Sequence, residues 1–372
     1  MDRIKVLIVT EAVSYGGNNI VAINLEKHLN KDKFECNYCV RRDSIGAFEQ
    51  ETIDRGIRVI HVPDSELGYL KSYKFYKSLF QSERFDIVHC HLPFVSGLIL
   101  YAAKQCGVEK RVAHAHFSQP YTDTAIYSKK KQLVASVYRV VMRQFLKRYC
   151  NLKLACGKEA GEFLYGKKEF SKNGVLLNNG IETDKFEYNP KIRNEVREEF
   201  GITDEIVLGH IGQMYSVKNQ SFIIDIFNEF IKNNNSKLIL VGDGTDREML
   251  ENKVHDLNLD GRVIFTGKRN DAERLYQAFD CFVFPSIHEG FPLTLIEAQA
   301  SKLPCVVSYR VTESSKINSN FVFENIFADE NIWCESIVYA MQAQRESIDI
   351  SELKSRFDIK SIAHKLEEMY LS

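Results

Sequence analysis

The chain has no excess of either charge. Its 372 residues carry 49 basic and 50 acidic side chains, a formal net charge of −1. No global field draws it to nucleic acid, so any basic function must be local. Long apolar runs are also missing. A membrane span needs roughly 18 or more consecutive apolar residues, and "VSGLILYAA" (95–103) falls well short of that. The apolar part of "MDRIKVLIVTEA" is too short for a signal peptide and reads as a first strand. Cysteine is neither dense nor regularly spaced. The nine cysteines are scattered through apolar segments such as "KLACG", "FDCFVF" and "LPCVV", as expected for reduced, buried thiols of a cytosolic protein. Cys36 and Cys39 have C-x-x-C spacing but lie in strand-like "FECNYCV", and no second C-x-x-C completes a zinc set. The G-x-G-x-x-G fingerprint, the P-loop, the D-x-D motif, internal repeats and low-complexity tracts are all absent.

What is present is strand–helix alternation. Apolar runs occur at 4–10, 34–40, 58–62, 86–91, 110–115, 152–156 and 174–179, then at 205–212, 237–243, 262–267, 281–286 and 304–308. Helix-length segments separate them, for example 18–29, 219–232, 246–256 and 292–301. Continuous apolar strands alternating with helices predict parallel sheets covered on both faces. Twelve or so strands exceed one comfortable sheet, so two doubly wound domains are expected. The polar, turn-rich "NNGIETDKFEYNP" marks the division. We place one domain at 1–182 and a second at 183–356. The final segment (357–372) is an amphipathic helix with Ile359, Ile362, Leu366 and Met369 on one face. Ligands of such sheets bind at the carboxyl ends of the strands.

Five features carry chemistry, four of them at strand ends. After the first strand, Gly16 and Gly17 precede a helix; they suit either a tight turn or a phosphate contact. "VHCH" (His89, His91) and "AHAHFSQP" (His114, His116) each place two imidazoles on one strand face. That is a metal-compatible geometry, although Asp123 is the only acid soon after His116. Imidazoles hydrogen-bonded in strand-end loops account equally for His89 and His114, with His116 further out and open to a general or electrostatic role. Lys218, beside a helix start, suits a phosphate or is a solvated lysine. In "HEGFPLTLIEAQ", Pro292 fits the first turn of a helix whose Leu293 and Thr294 amides lack intrahelical partners. Glu289 lies before that start and Glu297 in the second turn. Carboxylates accept hydrogen bonds only, so the pair suits hydroxyls on either side of a bound phosphate, or else is one solvated and one capping glutamate.

The fifth feature is "YSKKKQLVASVYRVVMRQFLKRYC" (127–150). Leu133, Val137, Val141, Phe145 and Leu146 form a stripe, and Lys129, Lys130, Lys131, Arg139, Arg143, Lys147 and Arg148 add charge with no acid. A cationic amphipathic helix suits an anionic membrane surface, or a solvated face.

The stretch "VGDGTDREMLE…VIFTGKRND…LYQAFDCFVFPSIHEGFPLTLIEAQASKLPCVVS" resembles the C-terminal domain of the retaining glycosyltransferases of family 4, which have the GT-B fold. The E-x7-E spacing of Glu289 and Glu297 is specific where it stands within "PS-x-x-EGFP-x-x-x-IEA-x-A-x-x-LP". The likeness extends to the Gly-Gly loop, the H-x-H segment, "NNGI" and "GHIGQ…KN", and is strongest for enzymes that assemble capsular or extracellular polysaccharide. It implies two Rossmann-like domains facing across a cleft, the first (1–182) binding the acceptor and the second (183–356) the nucleotide sugar, with the helix 357–372 returning to the first. Glu289 would contact the transferred sugar beside the Gly290 and Phe291 amides. The Leu293 and Thr294 amides, Lys218 and Gly17 would hold the diphosphate, and Glu297 the ribose. Gly267 to Arg269 would border the base, and His116 the anomeric carbon and acceptor.

The sequence departs from the family at Gln213, where many members carry an arginine that helps neutralise the leaving diphosphate. Lys268 or Arg269 would then have to compensate. Phe117 also replaces a commonly polar residue, with consequences for acceptor choice. The resemblance thus implies a retaining, metal-independent hexosyltransferase without a cofactor. It would use a nucleotide diphosphate sugar, UDP-linked, and a lipid-linked saccharide acceptor at the inner face of the plasma membrane. The alternatives are a nucleotide-sugar-binding protein with weak or no transfer, and a metal-dependent hydrolase using the histidine pairs.

Overall fold

The computed structural model describes residues 3–42, 44–63, 68–116, 129–289 and 291–372, apart from the side chains of 69, 129 and 130. The chain divides into two compact units, Met1–Gly180 with Ile359–Ser372, and Ile181–Asp358.

The first unit contains strands β1 (Ile4–Thr10), β2 (Phe34–Val40), β3 (Val59–His61), β4 (Ile87–Cys90), β5 (Lys110–Ala115), β6 (Leu152–Ala155) and β7 (Gly174–Leu176). They form one parallel sheet in the order β3-β2-β1-β4-β5-β6-β7. The central strands are apolar on both faces, with Val6, Leu7, Val9, Val88 and Val112 all fully buried, as a helix-covered parallel sheet requires. Burial pushes the Cys36 and Cys39 thiols up to about 12. Such burial disfavours the thiolate that redox chemistry or metal ligation would need.

The helix Ile359–Leu371 belongs to this first unit. Ile362 and Leu366 are buried as the amphipathic pattern predicts, but Tyr370 rather than Met369 completes the face. Met369 instead offers its carbonyl to Lys110 Nζ at 3.0 Å, and the Asn30 amide donates to Glu367 Oε1 at 2.6 Å.

The second unit contains β8 (Ile206–Ile211), β9 (Ser236–Val241), β10 (Val263–Gly267), β11 (Cys281–Phe284), β12 (Cys305–Ser308) and β13 (Phe321–Glu324). Its parallel order is β10-β9-β8-β11-β12-β13. Strand β13 was not anticipated. "FVFE" is four residues long, follows polar "KINSN", and becomes a strand by pairing with β12 at the sheet edge.

The segment between the units is more ordered than its turn-rich composition suggests. Thr183–Phe186 is a short helix, and Pro190 starts the helix Pro190–Glu199 rather than ending a linker. Asn189 Oδ1 caps that helix, accepting from the Lys191 and Ile192 amides at 3.0 and 3.4 Å. In each unit the strand order reverses at one point, between β1 and β4 and between β8 and β11. Crevices at such points are where ligands of open α/β sheets bind.

Candidate active site

In the second unit, the residues after β8 and β11 meet at the reversal point. Lys218 ends a 3-10 turn, Ser216–Lys218, and Asn219 in the left-handed region (φ 58°) turns the chain into the helix Gln220–Phe230. Asparagine tolerates that conformation better than most residues. The loop after β11 is tied to this turn through the Ile287 amide, which donates to Val217 O at 2.9 Å. Asn219 Nδ2 donates to Pro285 O at 3.3 Å. These bonds bring Lys218 Nζ to 2.6 Å from Glu289 Oε1, with both side chains mostly buried (21% and 12% exposed). Lys218 Nζ also lies 5.3 Å from the centre of the Phe284 ring.

Beyond Glu289 the chain enters the helix Leu293–Ala300. Pro292 is its N-cap residue, with ψ 114°, rather than part of its first turn, and no side chain caps this end. The first amide to turn back is that of Leu295, onto Pro292 O at 3.2 Å. The start of the helix therefore presents the Leu293 and Thr294 amides and its positive dipole end to the loop. Phe291 stacks on Phe357 with ring centres 5.6 Å apart, fixing the approach to the helix. Gly290 lies outside the described residues.

Glu297 sits one turn into the helix. Its Oε2 accepts from Tyr276 Oη at 2.9 Å, and the same hydroxyl lies 3.1 Å from Thr294 O. Tyr276 is fully buried. Glu297 keeps a partly open surface, yet desolvation pushes its carboxyl up to about 7 against the downward pull of the Tyr276 bond. Tyr276 was not singled out from the sequence, because a tyrosine in an amphipathic helix reads as core.

The loops after β8, β9 and β10 are laced by backbone bonds: Gly212 N to Val241 O, Met214 N to Asp243 O and Gly242 N to Gly267 O, at 3.0, 3.0 and 2.9 Å. Gly242 has φ +133°, and a Cβ there would stand 2.0 Å from Gly212 O, so only glycine fits. The Gln213 side chain is exposed, while its carbonyl accepts from Gln220 Nε2 at 2.9 Å. Arg269 is committed elsewhere. It makes a bidentate pair with Asp271 (2.8 and 2.7 Å) and reaches Glu199 at 2.9 Å. As a replacement for a cation at Gln213 it would have to give up those acids. Lys268 is exposed. Arg247, which sequence reasoning passed over, has Nη1 3.4 Å from where a Cβ on Gly267 would sit, and pairs with Glu251 at 2.7 Å.

In the first unit, Gly16 (φ +121°) precedes Gly17, the first residue of the helix Gly17–His28, and a Cβ on Gly17 would meet nothing within 4 Å. Buried Asn19 holds this turn, accepting from Thr10 Oγ1 at 2.8 Å and donating to Tyr15 O at 3.3 Å. At the ends of β4 and β5 the four histidines form one buried array. His116 does not stand apart as the sequence suggested: its Nε2 lies 2.9 Å from His91 Nδ1. His89 Nδ1 meets Tyr370 Oη at 2.6 Å, whereas the His114 ring has only a backbone contact at Leu177. Burial holds all four well below the usual imidazole range, His114 at about 3, so each ring is neutral at pH 7.

The helix Lys129–Tyr149 only partly follows its expected stripe. Leu146 and Met142 are buried, but Leu133, Val134, Val137, Val140 and Val141 are 43–65% exposed. Lys131 and Arg139 lie on that exposed portion. Arg143 is turned inward, donating to Phe163 O at 2.6 Å with its guanidinium 5.6 Å from the Phe94 ring centre. It is therefore removed from the surface charge the sequence assigned to it. The side chains of Lys129 and Lys130, and Asp123 and Phe117, lie outside what is described. Among the described residues no helix is long and apolar enough to cross a membrane.

Two family profiles cover most of the chain: "Glycosyltransferase Family 4" matches residues 15–185 and "Glycosyl transferases group 1" matches 192–337. EpsF of Bacillus subtilis (strain 168), which carries a glycosyltransferase name, is 30% identical over 92% of this chain and 88% of its own length. An Escherichia coli UDP-Gal:alpha-D-GlcNAc-diphosphoundecaprenol alpha-1,3-galactosyltransferase is 30% identical over 72% of this chain and 67% of its own. The Staphylococcus aureus capsular polysaccharide biosynthesis glycosyltransferase CapH is 25% identical over 99% of both. Among solved structures, Anabaena HepE in complex with UDP and glucose aligns over 100% of both chains with a TM-score of 0.81 at 19% identity.

Proposed function

This chain belongs to the GT-B glycosyltransferases, and on that footing we propose that it moves a hexose from a UDP-sugar to a lipid-diphosphate-linked saccharide, with retention of configuration, in cell-surface polysaccharide synthesis. The observation that carries this reading is the Lys218–Glu289 pair beside the uncapped start of Leu293–Ala300, with Glu297 one turn further along. Cation, free amides and two carboxylates then follow the order of a diphosphate flanked by a sugar and a ribose. The names of the relatives support the substrate classes: one acts on UDP-Gal and a diphosphoundecaprenol-linked acceptor, another builds capsule, and HepE was solved with UDP.

In this reading Glu289 grips hydroxyls of the transferred sugar, next to the amides of Gly290 and Phe291. The Leu293 and Thr294 amides hold the diphosphate, joined by Lys218. Glu297 holds the ribose, and Gly267 to Arg269 border the base. The anomeric carbon–oxygen bond to the phosphate breaks as the acceptor oxygen bonds to the same face. The acceptor proton passes to the departing phosphate oxygen. Lys218 and the helix amides meet the charge that develops on the leaving group, so this step needs neither metal nor cofactor. The exposed valines and cations of Lys129–Tyr149, with Lys129, Lys130 and Lys131 at its start, suit peripheral docking on the anionic inner face of the plasma membrane.

UDP release measured across a panel of UDP-hexoses and lipid-linked acceptors tests the reaction. Turnover that Glu289→Gln sharply reduces is expected. Binding of donors without turnover across an adequate panel would favour a nucleotide-sugar-binding protein, a reading motivated by exposed Gln213 and sequestered Arg269. Charge reversal at Lys129–Lys131 should weaken binding to anionic liposomes, and unchanged binding would remove the membrane contact.

A further inference from the structure

The histidine array lies in the first unit and is not used, as a set, by the proposed reaction. We propose that the ends of β4 and β5 form a transition-metal site, with His89, His91 and His114 as ligands and zinc the ion the donor set favours. The inference stands on this cluster alone and does not depend on the identity of the donor or acceptor.

Topology brings the rings together. H-x-H on a strand sends both side chains to one face. β4 and β5 pair in parallel with His89 opposite Val112, and carrying that register forward sets His91 beside His114. The His91 and His114 ring centres are 5.2 Å apart, and those of His89 and His114 are 5.5 Å apart. One ring nitrogen from each of the three lies within 4.8 Å of the other two.

His89 Nε2 and His116 Nδ1 are buried with no hydrogen-bond partner, and the His114 ring has only a backbone contact at Leu177. A neutral imidazole keeps one lone pair, so His89, His91 and His114 can each offer a single nitrogen to an ion. Buried polar atoms are rarely left so, and such a cluster calls for a bound species. A small void of about 10 Å³ borders His91, His114 and His116, room for a single ion or water. An all-imidazole set suits zinc, copper, iron or nickel; calcium and magnesium require oxygen ligands. Three histidines with a fourth position open is an established zinc arrangement.

The remaining nitrogens are placed as those of metal ligands usually are. A ligating imidazole normally has its second nitrogen fixed by an outer partner. Here His89 Nδ1 is fixed by Tyr370 Oη at 2.6 Å and His91 Nδ1 by His116 Nε2 at 2.9 Å. An ion at this point would brace the ends of β4 and β5. Through Tyr370 and His116 it would also brace the returning helix Ile359–Leu371 and the residue that follows β5.

The test uses the full chain purified without a histidine tag, loaded with zinc sulfate, desalted and analysed by elemental mass spectrometry, with a parallel cobalt(II) titration. About one zinc per chain and the intense visible absorption of four-coordinate cobalt are expected. Both should be lost in His89→Gln/His114→Gln and kept in His255→Gln, which changes an exposed histidine of the second unit. Zinc at the buffer-blank level in the wild-type chain, or undiminished zinc in a folded double variant, would overturn the site. Should the double variant fail to fold, the wild-type stoichiometry and cobalt spectrum decide the matter alone.

Discussion

The two sheets use the same topological place in opposite ways. At the ends of β8 and β11, a lysine and two glutamates are each engaged yet partly open, beside an uncapped helix start. At the ends of β4 and β5, four imidazoles are buried and neutral, and several of their nitrogens have no partner. A charged, partly hydrated cluster can exchange its internal ion pair for a charged ligand, because Lys218 and Glu289 each gain a new partner as they loosen their own. A neutral, dehydrated cluster cannot admit a substrate of any size. In the proposed reading, the contrast separates a site suited to a large anionic ligand from one suited to a small ion.

The sharpest way to break this contrast is to remove charge from the second unit. Glu289→Gln is predicted to lower transfer by about 10³-fold, since it removes the negative charge proposed to hold the sugar hydroxyls and leaves Lys218 without its ionic partner. Lys218→Ala should lower kcat/KM by roughly 10²-fold, about 2.7 kcal/mol of transition-state stabilisation. A larger loss in kcat than in donor affinity would locate that effect on the leaving group.

A smaller effect concerns pH. The Glu297 carboxyl, raised from 4.5 to about 7, keeps in the folded chain a proton that the unfolded chain has released. Its contribution to stability therefore declines as pH rises through that window, the reverse of a salt-bridged carboxylate. Ribose hydroxyls donate to the ionised form, so UDP affinity should weaken as pH falls below about 7. Tyr276→Phe should move that midpoint upward by removing the bond that favours the anion, and Glu297→Gln should abolish the dependence; calorimetric UDP titrations across pH read both. The smallest change is expected at Arg269→Ala. Its guanidinium is held by Asp271 and Glu199, so turnover should stay within about threefold, or about 0.7 kcal/mol. A large loss there would mean that Arg269 leaves those acids during the reaction.

Local pattern made much of the fold legible. "IKVLIVT", "FECNYCV" and "KRVAHA" are strands residue for residue, because their apolar runs are bounded by polar turns. β13 escaped because a four-residue edge strand depends on its neighbour more than on its own composition. The same holds for the site. The Glu289–Glu297 spacing is a property of one helix and its approach, and so can be read locally. The approach of Lys218 to Glu289 spans 71 residues of chain and rests on the Ile287–Val217 backbone bond, which no local pattern announces. His116 was expected further out because polar "FSQP" follows it, whereas the parallel register draws it into the array. Arg143 looked like surface charge by spacing, but Phe94 and Phe163 O hold it inward.

The central claim is that the Lys218 side of the second unit receives the nucleotide diphosphate. Calorimetric titration of UDP into the wild-type chain and into Lys218→Ala tests it most directly. The account predicts saturable binding to the wild type, weakened at least about tenfold in the variant, or about 1.4 kcal/mol. Equal affinity for UDP in the two proteins would contradict it.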